Sequence, residues 1–177
     1  GLHGSLVYLP EPGPLAFALA LAGAFWLLLP RGMPGKPLAL LLFAPLLFPA
    51  LPRPAPGQVM VSVLDVGQGL SVLLRTADHT VLYDAGPAFP GGLDMGEAAV
   101  VPALRALGVT RLDLLIVSHD DNDHSGGVDA VKRAYAPEQV VVMRGQPQQG
   151  ERSCEAGMAW ELDGLQLRIL HPPEHFP

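Results

Sequence analysis

Charge is what the front of this chain lacks. From Pro10 to Pro56 there is one acid, Glu11, and three bases, Arg31, Lys36 and Arg53, in a background of Leu, Ala, Phe, Pro and Gly. Cysteine is almost missing too: Cys154 is the only one, which excludes an internal disulfide and a thiolate zinc cluster. In the polar stretch Arg144 to Gly157, with no histidine or basic pattern beside it, Cys154 reads as an incidental loop residue. The remainder of the chain is short of base. From Gly57 onward eight bases face sixteen acids, a net of minus eight. The basic face by which proteins usually grip a phosphate backbone is therefore not visible, whereas a bound cation would offset part of that charge.

The uncharged front contains two runs, nineteen residues between Glu11 and Arg31 and sixteen between Lys36 and Arg53. As helices they would rise roughly 28 and 24 Å, against a hydrocarbon core of about 30 Å. We read residues 1–56 as a membrane-associated region with candidate transmembrane helices at about 14–30 and 37–52, the second kinked by Pro45 and Pro49. Basic residues ahead of the first run and a small-residue cleavage site, which would mark a signal peptide, are not convincing. Arg31 and Lys36 in the connecting loop put that loop on the cytoplasmic side and the globular part outside it. Two prolines in one span call for further helices to pack on, so the chain is expected to be cut from a longer, multi-pass protein of the cytoplasmic membrane.

From residue 57 to 177 the pattern is that of a layered α/β or α+β domain. "QVMVSVLDV", "LSVLLRT" and "TVLYDAG" alternate in strand fashion between tight turns. "DMGEAAVVPALRALG" predicts a helix opened by Asp94 and Glu97 and stopped at Gly108. "LDLLIVS" is a fully apolar strand, "SGGVDAVKRAY" a helix and "QVVVM" a strand. Asp163-Gly164 between two alternating runs predicts a closing hairpin.

Chemistry concentrates in "SHDDNDHSGG", residues 118–127, which holds three carboxylates and two imidazoles where the apolar strand ends. His119, Asp121, Asp123 and His124 follow the spacing H-x-D-x-D-H ahead of a glycine turn. Such ligands can face inward from one short loop and serve two adjacent cations; imidazole with carboxylate suits zinc, manganese or iron. A solvated acidic turn capping the next helix through Asp123 or Ser125 would explain one acid, but not three acids and two histidines. His3, His79, His171 and His175 have no comparable company.

These stretches resemble the metallo-β-lactamase superfamily, whose signature is H-x-H-x-D-H after a strand. "LDVGQGLSVLLRT", "VLYDAGP", "VVPALRALGV" and "LDLLIVSHDDNDHSGGV" resemble, in order and spacing, the ComEC-type competence proteins over about residues 38 to 135. The resemblance implies an αββα metallo-β-lactamase-like domain, of which this chain carries the first half only, since no "TGD" or "HHGS" motif precedes Pro177. It implies His119 and Asp121 on a first divalent metal, Asp123 and His124 on a second, and Asp123 helping to orient the nucleophile. Asp121 stands where the superfamily has a histidine, which shifts preference from zinc towards manganese. Asp84 would brace the ligand loop from behind. Asp65, Gly67, Gln68, Gly69 and Ser71 would form a loop approaching the metal centre or substrate, with Leu70 in place of the family's usual acid.

The activity so implied is uptake of single-stranded DNA with a metal-dependent, DNase-type hydrolase in the full-length protein, this stretch alone being inactive. The implied partners are single-stranded DNA, the lipid membrane, other competence-machinery proteins and the rest of the same chain, with the metallo domain on the extracytoplasmic side. Two other readings stand beside it: a transport channel whose metallo domain is structural, and a hydrolase of small esters or thioesters on the same fold.

Overall fold

A computed structural model of the chain describes residues 10–30, 32, 34–49, 51–143 and 147–171. Arg31, Arg144, His3 and His175 lie outside them. The chain divides into two compact units, Gly1–Pro52 with Arg105–Gly108, and Arg53–Leu104 with Val109–Pro177.

In the first unit, α1 (Pro14–Leu28) opens with proline in its first turn, where the missing N–H costs nothing. Its buried side is small, Ala16, Ala20 and Gly23. A Cβ on Gly23 would come within 2.8 Å of the Ala39 carbonyl and 2.9 Å of the Phe43 ring, so glycine is what lets the second segment lie close. That segment is broken: α2 (Lys36–Ala39), a 3-10 stretch (Leu40–Phe43) and α3 (Ala44–Leu47). Pro45 has no N–H to continue the α ladder, which explains the tightening just before it. The Lys36 ammonium donates to the carbonyls of Leu27 and Leu29, satisfying the C-terminal end of α1.

The helices expected at about 14–30 and 37–52 are thus shorter than the runs that encode them. At fifteen residues α1 rises only about 22 Å. Among the described residues no helix is long and apolar enough to cross a membrane.

The second unit is built on a six-stranded sheet in chain order: β1 (Met60–Val63), β2 (Val72–Arg75), β3 (Thr80–Tyr83), β4 (Leu114–Val117), β5 (Gln139–Val142) and β6 (Glu151–Ser153). β1 to β3 are antiparallel and β3 to β6 parallel. Between β3 and β4 the chain forms a π turn (Gly96–Val100) running into α4 (Val101–Ala106); Asp94 Oδ1 accepts the N–H groups of Gly96 and Glu97 at its start. Pro102 cannot donate to the Ala98 carbonyl, which accounts for the wide turn before it. β4 is buried along its whole length, as a central parallel strand should be. After it come α5 (Asn122–Ser125) and α6 (Val128–Tyr135).

β7 (Ala159–Leu162) and β8 (Leu165–Arg168) form a separate hairpin whose Leu162 joins the core of Val81, Leu114, Ile116 and Val141, with Trp160 and Leu167 packed on it. The opposite strand positions, Leu73, Leu82, Leu115, Val117 and Val142, are buried as well, and Val100, Leu104 and Val131 are the helical share of the core. The sequence did not suggest β6, which is polar. It pairs in parallel with β5, and Glu151 forms a partly buried ion pair with Lys132. Cys154 does lie in a loop, directly after β6, where it packs half-buried against the sheet core; burial, with the Glu155 charge, pushes its thiol above the usual range. A thiol held protonated is a poor nucleophile.

Candidate metal centre

The parallel pairing of β3 with β4 brings two strand ends together, and the candidate site stands just beyond their carboxyl ends, the usual place for ligands in such sheets. Asp84 follows β3 and adopts a left-handed backbone at φ 58°. Aspartate tolerates that region better than most residues. Its side chain is fully buried and accepts three hydrogen bonds: from Ser118 N–H at 2.8 Å, from Ser118 Oγ at 2.7 Å and from His124 Nδ1 at 2.7 Å. Ser71 Oγ donates to the Asp84 carbonyl at 3.0 Å.

The loop that carries the candidate ligands is gripped by backbone. The carbonyl of Asp123 accepts Leu70 N–H, that of His124 accepts Ala85 N–H, and Gly127 N–H donates to the Gly86 carbonyl. Asn122 Oδ1 accepts Ala88 N–H, and Ser125 Oγ donates to the carbonyls of Asp120 and Asp121. Three glycines permit this approach: an added Cβ would meet Asp123 O at 2.4 Å from Gly69, Ala88 N at 2.2 Å from Gly126 and Ala85 O at 2.2 Å from Gly127. Asp65 is occupied locally, its Oδ1 accepting Gly67 N–H at 3.1 Å. The loop of Asp65, Gly67, Gln68, Gly69 and Ser71 therefore touches the site through the backbone at Gly69 and Leu70 and through Ser71.

His119, Asp123 and His124 each offer a donor atom, all within 4.8 Å of one another. The two rings lie 3.9 Å apart between centroids. His124 Nε2 is 3.6 Å from Asp123 Oδ2 and His119 Nε2 is 3.5 Å from Asp121 Oδ2. Asp121 is 79% exposed and stands at the outer edge, where it also occupies the N-cap position of α5. His119 Nδ1 is engaged by Ser118 Oγ at 2.8 Å. The donor set fits a divalent cation: both imidazoles have their inner nitrogen tied down and their outer nitrogen beside a carboxylate, which is how metal-binding histidines are held. Tyr83 adjoins the same node and is hydrogen-bonded with Ser118; burial raises its phenol and the Asp84 charge adds to it. Ser118 and Tyr83 were missed in the sequence, although a hydroxyl immediately before His119 was a readable signal.

His79 and His171 take no part. His79 Nδ1 pairs with Asp163 at 3.1 Å, and His171 is exposed at the end of the described chain.

The profile of the metallo-beta-lactamase superfamily matches residues 64–151. Competence protein ComA of Neisseria gonorrhoeae is 39% identical over 165 residues, 92% of this chain and 22% of that protein. Recombination protein 2 of Haemophilus influenzae is 40% identical over 136 residues, 75% of this chain and 16% of that protein. Among solved structures, a metallo-β-lactamase of Cronobacter sakazakii matches at a TM-score of 0.50 and 22% identity, over 67% of this chain and 53% of that one. The chain has the metallo-β-lactamase fold as a partial domain, and belongs with the ComEC-type competence proteins in the region of their metallo-β-lactamase-like domain. It spans less than a quarter of the length of these two curated relatives.

Proposed function

We propose that this chain is part of a machine that takes up single-stranded DNA during transformation, and that its second unit belongs to a metal-dependent phosphodiesterase. The observation that carries the reading is the convergence of His119, Asp123 and His124 on one another, with their support buried at Asp84. In it His119 and Asp121 serve one ion and Asp123 and His124 another, in a complete site of two, manganese or zinc. Bound there, such ions supply Lewis acidity, polarising a phosphoryl oxygen and acidifying water.

The chain's own residues do the rest. Asp84 and Ser118 fix the imidazoles, the clamped loop keeps the donors in register, and Asp123, 48% exposed, is free to accept a hydrogen bond from the attacking water and orient it. The names of the two relatives, a competence protein and a recombination protein, favour DNA as the material handled. The acidic balance of residues 57–177 argues that other parts of the machine supply most of the DNA affinity.

The same reading assigns residues 1–56 to the cytoplasmic membrane, with the metallo unit on the extracytoplasmic side. The membrane assignment is supported by the large apolar side chains left exposed in the first unit, among them Leu21 at 72%, Leu28 at 84% and Phe48 at 79%.

The test is manganese-dependent nucleotide release from single-stranded DNA by the protein in its full-length form, beside Asp123→Ala. We expect release that needs both the metal and Asp123. Metal uptake without release from any strand type would sink the nuclease and leave a transport protein with a structural metallo domain.

A further inference from the structure

We propose that Ser118 is a positioning residue that fixes the tautomer of His119, so that one buried carboxylate, Asp84, presets both imidazoles of the candidate metal centre. The proposal rests on the metal-centre reading and deepens it. The argument is a count of protons. A carboxylate has acceptor sites only. Ser118 Oγ lies 2.7 Å from Asp84 Oδ2, so the single hydroxyl proton of Ser118 is directed at Asp84. His124 Nδ1 lies 2.7 Å from the same oxygen, so His124 carries its proton on Nδ1.

Having given its proton to Asp84, Ser118 Oγ can only accept from its other neighbours, the Tyr83 hydroxyl and His119. His119 Nδ1 is 2.8 Å from it and must therefore be the donor. Both rings then hold their proton on Nδ1 and their lone pair on Nε2, the nitrogens that face Asp121 and Asp123. A neutral imidazole without such partners samples both tautomers, and one with its proton on Nε2 has no lone pair there for a cation.

Ser118 is suited to the task because it cannot turn away. Its own N–H is held by Asp84 Oδ1 at 2.8 Å, directly after the buried end of β4. The relay is also asymmetric. His124 reaches Asp84 directly at 2.7 Å and the Ser118 hydroxyl only at 3.4 Å, whereas His119 depends on the hydroxyl at 2.8 Å, so loss of the hydroxyl should disturb His119 far more than His124.

The experiment is a long-range proton–nitrogen correlation spectrum of the metal-free chain with labelled histidine, at a pH above the histidine range, followed by zinc titration calorimetry. In the wild type both His119 and His124 should be protonated on Nδ1. Ser118→Ala should move His119 towards protonation on Nε2, leave His124 unchanged, and weaken zinc binding roughly tenfold. Ser118→Thr, which restores the hydroxyl, should return the His119 signature and recover most of the affinity. A wild-type His119 protonated on Nε2, or one unchanged by Ser118→Ala, overturns the proposal. Should Ser118→Ala fail to fold, the wild-type and Ser118→Thr spectra still decide it. Preset tautomers in a chain that takes up no zinc would support the relay while sinking the metal centre itself.

Discussion

Asp84 and Asp163 each follow a β-strand, each sit in left-handed backbone at φ 58° and 53°, and each accept from a hydroxyl, a backbone N–H and a histidine Nδ1. For Asp84 these are Ser118 Oγ, Ser118 N and His124. For Asp163 they are Thr76 Oγ1 at 2.5 Å, Asp78 N at 2.8 Å and His79 at 3.1 Å. One node stands behind a candidate metal centre; the other ties the turn between β2 and β3 to the hairpin of β7 and β8. The local chemistry is the same, so a carboxylate, a hydroxyl and an imidazole do not by themselves make a site. Two things differ. Asp84 is fully buried, and beyond its histidine stand a second imidazole and Asp123 within 4.8 Å. Asp163 is partly exposed, and among the described residues His79 belongs to no such group.

The largest separation of the two nodes should come from replacing each aspartate by asparagine, which tolerates left-handed backbone and so isolates the carboxylate. Asp84→Asn sets an amide against donors already committed to it in the interior. It should cost about 3 kcal/mol in urea unfolding and lower zinc affinity about a hundredfold. Asp163→Asn should leave zinc affinity where it was. Equal effects of both changes on zinc would show that Asp84 acts only through general stability.

A smaller contrast lies in two glycines. At Gly69 a Cβ would press on the Asp123 carbonyl at 2.4 Å, whereas at Gly164, φ +84°, the nearest atom is 3.9 Å away. Gly69→Ala must therefore displace backbone of the loop that carries the candidate ligands, and we expect a loss of about 2 kcal/mol together with weaker zinc binding. Gly164→Ala should cost about 1 kcal/mol through its left-handed backbone alone, with zinc binding intact. Calorimetric titration of both variants checks the pair, and zinc binding unaltered in Gly69→Ala would remove the loop of residues 65–71 from the site.

How far the sequence reached follows the same physics. Strands with alternating or continuous apolar residues, such as "LDLLIVS", were legible because burial imposes the pattern. β6 was not, because Glu151 and Ser153 earn their place through strand pairing and an ion pair with Lys132 rather than through apolar burial. The apolar runs of the front were visible as composition, but the helices they form are set by Pro45 and by glycine contacts, giving fifteen residues in α1 and a broken second segment. At the site, His119, Asp123 and His124 could be named from spacing, and Asp84 only through the family resemblance of "VLYDAGP". Which candidate stands apart could not, since the exposure of Asp121 depends on the short α5 that it caps. Ser118 and Asp163 escaped for a common reason: their partners lie 34 and 87 residues away, at Asp84 and Thr76.

The last and smallest expected effect is confined to acid and belongs to Asp163. The Thr76 hydroxyl, the Asp78 N–H and His79 hold its carboxyl well below the ordinary aspartate value of 3.8. A group whose pKa is lowered on folding stabilises the folded state above its unfolded value and loses that contribution as pH falls through the folded one. The clasp between the two hairpins is therefore complete at neutral pH and weakens only below about pH 4. Thermal melts of the wild type and Asp163→Asn should differ at neutral pH, by less than Gly69→Ala costs, and converge in strong acid, with zinc affinity unchanged throughout. A difference that persists into strong acid would mean that Asp163 holds the hairpins by shape rather than by charge, and that its likeness to Asp84 ends at the hydrogen-bond pattern.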